Sequence, residues 1–235
     1  MSNNDLSITD KIIKNTVKEE LLNKYSQNTL LKGLVQIVPY GGLVDSVLTS
    51  SYNNILIARS KTFFDELGLG NIEITPELIK NEDFLHSYFT TYKAALYTKH
   101  REKIRFFARL LKNGMISEVI DDVEVYDDYL KILDELTYRE IYILYTLKGF
   151  EDITNYTDSK ELNHWQEFSS KITNDLSITE EELRLFLMRL MRTGCFVDVL
   201  TFAGLGAKGY TSTLFKTLSK LIELKEEDLV HFIKI

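Results

Sequence analysis

Only two prolines, Pro39 and Pro76, interrupt the 235 residues of the chain, where average usage of about 5% would supply roughly a dozen. Proline removes a backbone donor and clashes with the turn before it, so its scarcity leaves long stretches free to be helical. Apolar spacing agrees. A capping box at Ser7-Ile8-Thr9-Asp10 opens a helix to about Tyr25 with Ile12, Ile13, Val17, Leu21 and Leu22 on one stripe. Leu30 to Leu48 is the most apolar region, and Pro39-Tyr40-Gly41-Gly42 breaks it into two short pieces. Lys32, Gln36 and Asp45 interrupt it, which argues against a bilayer span needing about 20 apolar residues. Helical spacing resumes from Val44 to Leu67, where Gly68 and Gly70 stop it. Thr75-Pro76 starts a short helix. Asn81 or Asp83 then begins a long one over Phe84 to Lys112, closed by Asn113-Gly114.

The acidic run Asp121-Asp122-Val123-Glu124-Val125-Tyr126-Asp127-Asp128 is read as the joint between two domains, residues 1–120 and 126–235. Beyond it the signals are denser. Tyr129 to Glu135 is one helix, and Thr137 with Glu140 caps a second that Gly149 ends after Lys148. After a polar loop from Glu151 to Ser159, Leu162 to Ile172 is a third helix. Thr179 with Glu182 caps a fourth, with Leu183, Phe186, Leu187, Leu190 and Met191 as its buried stripe and Gly194 as its stop. Cys195 to Phe202 is rich in strand formers, Ala203 to Gly209 is a glycine-rich turn, Tyr210 to Thr213 returns as a partner strand, and Leu214 to Leu224 is helical again. The expected fold is therefore mainly α, an N-terminal helical bundle followed by a helical domain carrying one small β-hairpin.

The stretch EELRLFLMRLMRTGCFVD (Glu181 to Asp198), followed by GYTSTLFKTLSKLI, resembles the third helix, hairpin and trailing helix of bacterial winged helix-turn-helix domains. The resemblance covers about the last hundred residues and rests on the order and spacing of elements. It implies that the helix opening at Glu180 would enter a DNA major groove, with Arg189 and Arg192 opposite the apolar stripe and Lys208 on the wing tip. Separately, VPYGGLVDSVL with Arg59 and Phe63-Phe64 resembles helical segments of uncharacterised bacterial proteins, some carried near mobile elements, and implies no activity.

Charge argues against the groove. The chain carries 28 basic and 35 acidic residues, a formal charge of −7. Residues 1–125 hold 15 Lys/Arg against 16 Asp/Glu, and residues 126–235 hold 13 against 19. The acidic half would thus face the phosphates, led by Glu180-Glu181-Glu182. A second basic stretch, Lys99-His100-Arg101-Glu102-Lys103-Ile104-Arg105-Phe106-Phe107-Ala108-Arg109, interleaves cations with aromatics. Lys99, Arg101, Lys103 and Arg105 are candidates for tracking a phosphate chain or an acidic partner; read as an ordinary helix, they form a solvated face over a core containing Phe106, Leu110 and Leu111.

Catalytic and cofactor patterns are incomplete. Gly204-Leu205-Gly206-Ala207-Lys208-Gly209 satisfies G-x-G-x-x-G, but the parallel strands of a dinucleotide-binding sheet are missing, so a wing turn explains the glycines and no cofactor is expected. Asp83-x-x-His86 and Glu161-x-x-His164 have di-iron spacing, yet nothing selects the further carboxylates among Glu19, Glu20, Glu66 and Glu118. No metal is expected. Cys195, the single cysteine, excludes an internal disulfide, fits a reducing compartment and lies in an apolar run where a thiol is inert packing. The first ten residues lack the build of a signal peptide.

The sequence therefore points to a non-enzymatic, cytoplasmic, helical bacterial protein acting through protein contacts or self-association. One alternative is a DNA-binding transcriptional regulator using Arg189, Arg192 and Lys208. Another is a membrane-active effector of a mobile-element or defence system, in which Leu30 to Leu48 unpacks onto a bilayer.

Overall fold

The computed structural model describes residues 18–27, 29–37, 48–69, 76–116, 120, 122–153, 164–199 and 208–229. The protein is mainly helical with one two-stranded antiparallel sheet. Expectations at Ser7 to Val17, Pro39 to Gly42, Gly70, Thr75, Glu118, Asp121, Glu161, Gly204 to Ala207 and His231 lie outside the described residues. Among the described residues no helix is long and apolar enough to cross a membrane. The chain divides into two compact units after Tyr126.

In the first unit residues 18–24 are helical, followed by α1 (Thr29–Ile37), α2 (Leu48–Leu67), α3 (Pro76–Lys80), α4 (Glu82–Tyr97) and α5 (Lys103–Leu111). A π-helical turn, Lys112–Ile116, follows α5. The core is aromatic. Phe63 and Phe64, neighbours on α2, are both fully buried, and their rings meet Tyr92 of α4 at 5.3 and 5.5 Å between centroids. Burying such rings removes a large apolar area from water, provided each tyrosine hydroxyl keeps a partner. Tyr92 shares a hydrogen bond of 2.7 Å with Ser60, and Tyr88 donates to the Leu34 carbonyl at 3.0 Å. Burial pushes the Tyr92 phenol up to about 12, so it stays neutral and able to donate.

The single helix expected over Phe84 to Lys112 is two helices. Of the two starts the sequence offers, Asn81 and Asp83, it is Asn81 that caps the first, its side chain accepting from the Phe84 N–H. The helix then stops at Thr98, which turns to ψ 141°. Arg59 on α2 makes the break affordable to the backbone by donating to the carbonyls of Leu96 and Thr98, each at 2.6 Å. These are carbonyls that a helix end leaves orphaned. Asn113-Gly114 likewise sits inside the π turn and does not terminate α5.

The division between the two units falls inside the acidic run read as the joint, and from Val123 onward the run is helical. Val123 to Asp128 are the first turns of α6 (Val123–Glu135), and Asp122 accepts from the Glu124 N–H at 2.8 Å to start it. Tyr126, on that turn, is fully buried and shares a 2.6 Å hydrogen bond with Thr91.

The second unit continues with α7 (Tyr138–Ile153), α8 (His164–Leu176), α9 (Glu180–Arg192), β1 (Phe196–Val199), β2 (Lys208–Thr211), α10 (Thr213–Leu221) and a 3-10 turn, Glu226–Asp228. Helix α7 packs on α8, β2 and α10, while α9 packs on α8 and β1. The Thr137/Glu140 box forms as expected. Gly149, however, does not end α7. The helix runs through it to Ile153, because the next turn carries Glu151, whose buried carboxylate accepts from both the N–H and the hydroxyl of Thr211 at 2.6 Å and lies 3.1 Å from Lys216 Nζ. The predicted helix ending at Ile172 also extends, to Leu176.

Candidate functional site

The groove-facing reading of the sequence falls on α9. Its N-terminus is fixed by a complete capping box: Thr179 accepts from the Glu182 N–H at 3.1 Å, and Glu182 accepts from the Thr179 N–H at 2.8 Å. That backbone bond, with the hydroxyl contact, holds the Glu182 carboxyl below its ordinary range. Its contribution to stability is thus complete above the unfolded carboxylate value and is lost as pH falls through the depressed one. At the other end the Gly194 N–H reaches the Met191 carbonyl at 3.0 Å and the Cys195 N–H reaches that of Leu190 at 3.2 Å. Gly194 at φ +73° supplies the left-handed residue this double closure needs.

Leu183, Leu187 and Leu190 pin α9 to the core. Met191, expected in that stripe, is 41% exposed, and Phe186 is only partly covered. Leu185 and Met188 are 57% and 56% exposed. The helix is apolar on two sides, and the second side faces solvent.

Two of the three arginines of the same helix lie against carboxylates, while Arg184 is exposed. Arg189 Nε lies 3.2 Å from Glu140 Oε1, and Arg192 Nη2 lies 2.6 Å from Glu135 Oε1. Glu140 is almost fully buried and serves twice, one oxygen taking the Thr137 N–H at 2.7 Å and the other facing Arg189. Glu180, Glu181 and Glu182 are all exposed.

Lys208 is not at a wing tip. It begins β2 opposite Val199, in a register that pairs Phe196 with Thr211; the intervening residues 200–207 lie outside the described residues. Gly209, the last glycine of the G-x-G-x-x-G pattern, sits within β2 rather than before a helix. A Cβ there would fall 2.0 Å from the Val197 carbonyl oxygen and 2.6 Å from the Phe196 ring. Close cross-strand packing is what that glycine permits.

The other basic stretch is not one continuous cationic surface. Lys99, Arg101 and Arg105 are exposed, but Lys103 is 2% exposed, with its ammonium 5.5 Å from the Phe107 ring centroid. Arg109 and Glu66 are each 8% exposed and paired at 2.6 Å, with Arg105 at 3.8 Å from the second Glu66 oxygen. The helix has apolar neighbours nearly all round, so a cation at position 103 or 109 is carried inward and must be paired or stacked.

Glu66, nominated for a di-metal site, is consumed by this pair, and Glu20 by Lys61. His86 is exposed. Among the described residues no group of three or more His, Cys, Asp or Glu is arranged to hold a metal ion. Cys195 is buried, and burial pushes its thiol up, away from the reactive thiolate.

Sequence reasoning missed Glu135 and Glu151 as ion-pair partners, and Glu140 beyond its cap; their spacing to Arg192, Lys216 and Arg189 is long-range and leaves no local pattern. The exposed Leu185 and Met188 were within reach, since neither falls on the stripe set by Leu183, Leu187 and Leu190. No family model, curated protein or solved structure matches the chain.

Proposed function

We infer that the protein works by contact with another protein surface, made through the exposed side of α9, and that it is a non-enzymatic cytoplasmic module. The observation carrying this is the pairing of opposites on one helix: Leu185, Met188 and Met191 face solvent while Arg189 and Arg192 lie against Glu140 and Glu135. Phosphates gain nothing from an exposed apolar strip, whereas a protein surface that covers it removes it from water. The order of α7, α8 and α9, then two strands and a helix, supports keeping the winged-helix reading for residues 126–235, with α9 used for a protein.

The regulator reading requires α9 on DNA, led by three exposed carboxylates and with Arg189 and Arg192 lying against Glu140 and Glu135. Fluorescence-polarisation titration of the full chain on duplex DNA, with salt raised from about 50 to 200 mM, separates the two. The expected result is binding no tighter than the non-specific range of about 10⁻⁴ to 10⁻⁶ M. Nanomolar, steeply salt-dependent binding that disappears in Arg189→Ala, Arg192→Ala and Lys208→Ala would contradict the protein-contact reading.

A further inference from the structure

The side of α9 turned away from the core is a narrow ridge. Glu181, Leu185, Met188 and Arg192 follow one another at spacings of four, three and four, and so line one face of the helix. That spacing is the seam of a heptad repeat. All four are exposed, Glu181 among them, and Met191 widens the apolar strip on one flank. The ridge has an order: acid at the N-terminal end, two apolar residues, base at the C-terminal end. Turned end for end, it reads base, apolar, apolar, acid. It is complementary to itself under a two-fold rotation, and only in the antiparallel sense, because a parallel copy would set Glu181 on Glu181 and Arg192 on Arg192.

We propose that α9 pairs antiparallel with α9 of a second copy of this chain, resting on the reading that this face meets protein. Leu185 of each copy packs on Met188 of the other, and Glu181 of each faces Arg192 of the other at both ends of the seam. Arg192 lies at Glu135 in the single chain, at 2.6 Å with a side chain 71% exposed. A surface pair of that kind holds its partner weakly, and the five-donor guanidinium can serve two carboxylates or exchange one for the other. The 13 residues of α9 span only about 20 Å. The seam is therefore smaller than a standard interface of roughly 1,200 to 2,000 Å², and the dimer is weak and concentration-dependent, forming in the range of roughly tens to hundreds of micromolar.

Sedimentation equilibrium of the full chain tests the pairing with charge reversals at exposed positions, each checked for native helix content by circular dichroism. Glu181→Arg places like charges at both ends of the seam, as does Arg192→Glu, so each weakens self-association about tenfold or more. The double variant E181R/R192E restores the complement and returns to within about threefold of the unaltered chain. Mixing the two single variants gives a heterodimer tighter than either homodimer, since E181R presents only bases and R192E only acids. Glu135→Gln, which removes just the internal partner of Arg192, leaves association intact. Monomers at all concentrations, indifference to the single reversals, or failure of the double variant to recover would each overturn the proposal. If the chain stays monomeric while Met188 can still be cross-linked to a different protein, self-pairing is overturned and the broader reading stands; if neither occurs, both fall.

Discussion

Arg109→Met is expected to cost about 3 to 5 kcal/mol of stability, read as an earlier urea midpoint by far-UV circular dichroism. The substitution keeps an unbranched apolar stem and removes the guanidinium with its charge and donors. Glu66, 8% exposed, would lose the partner at 2.6 Å that compensates its desolvation. Arg105, at 3.8 Å and largely in solvent, recovers little of that. Two further variants identify the cause. Arg105→Met should change stability by well under 1 kcal/mol, and Glu66→Gln combined with Arg109→Met should recover much of the loss, because a buried charge without a partner is more costly than no charge. An Arg109→Met midpoint equal to that of Arg105→Met would show that the pair does not hold this unit together.

A second large effect is expected at Gly209. An alanine Cβ would lie 2.0 Å from the Val197 carbonyl oxygen, a backbone atom, and 2.6 Å from the Phe196 ring. The strands cannot keep their register around it, so Gly209→Ala should lose about 3 kcal/mol or more. Trp165 is the natural reporter. It is the only tryptophan in the chain, and its ring lies 6.3 Å from Phe196 and 5.1 Å from Phe168 between centroids. Its emission should shift to lower urea in this variant. Gly149→Ala is the counterpart of opposite sign. That glycine is inside α7, an added Cβ meets nothing within 4 Å, and helix propensity favours alanine by about 1 kcal/mol. Equal and small effects at the two glycines would refute the close strand approach.

These sites also show where local chemistry was enough to read the fold and where it was not. Asn81, Thr137 and Thr179 act through backbone groups three residues away, and each cap was visible in the sequence. Gly194 was visible for the same reason. Two other helix ends were not: Ser177 at φ 51° and Glu223 at φ 46° follow α8 and α10 in the left-handed region, where glycine is the usual signal. The break at Thr98 depends on Arg59, and the extra turn after Gly149 depends on Glu151 bound to Thr211, 60 residues away. Partners that far apart in sequence leave no periodic trace. In the basic stretch Lys99, Arg101 and Arg105 are exposed as their pattern suggests, and only Lys103 of the four candidates is carried inward, where Phe107 stacks on it.

On α9 the sequence supplied the helix, both of its ends and the three leading glutamates. The solvent-facing Leu185 and Met188 are legible from their place off the buried stripe, whereas the positions of Glu135 and Glu140 against Arg192 and Arg189 are not. Both facts add to the charge argument against phosphates, and on the proposed reading the exposed strip gains from being covered by protein.

Photo-cross-linking in the native host from an amino acid installed in place of Met188 tests the protein-contact reading most directly. Met188 is more than half exposed at the middle of the strip, so whatever covers α9 must come within reach of it. Adducts should be protein, the chain's own second copy included, and they should vanish when Leu185 is also changed to aspartate. Adducts to nucleic acid, or no adduct to any macromolecule, would mean that α9 is not a protein-contact surface.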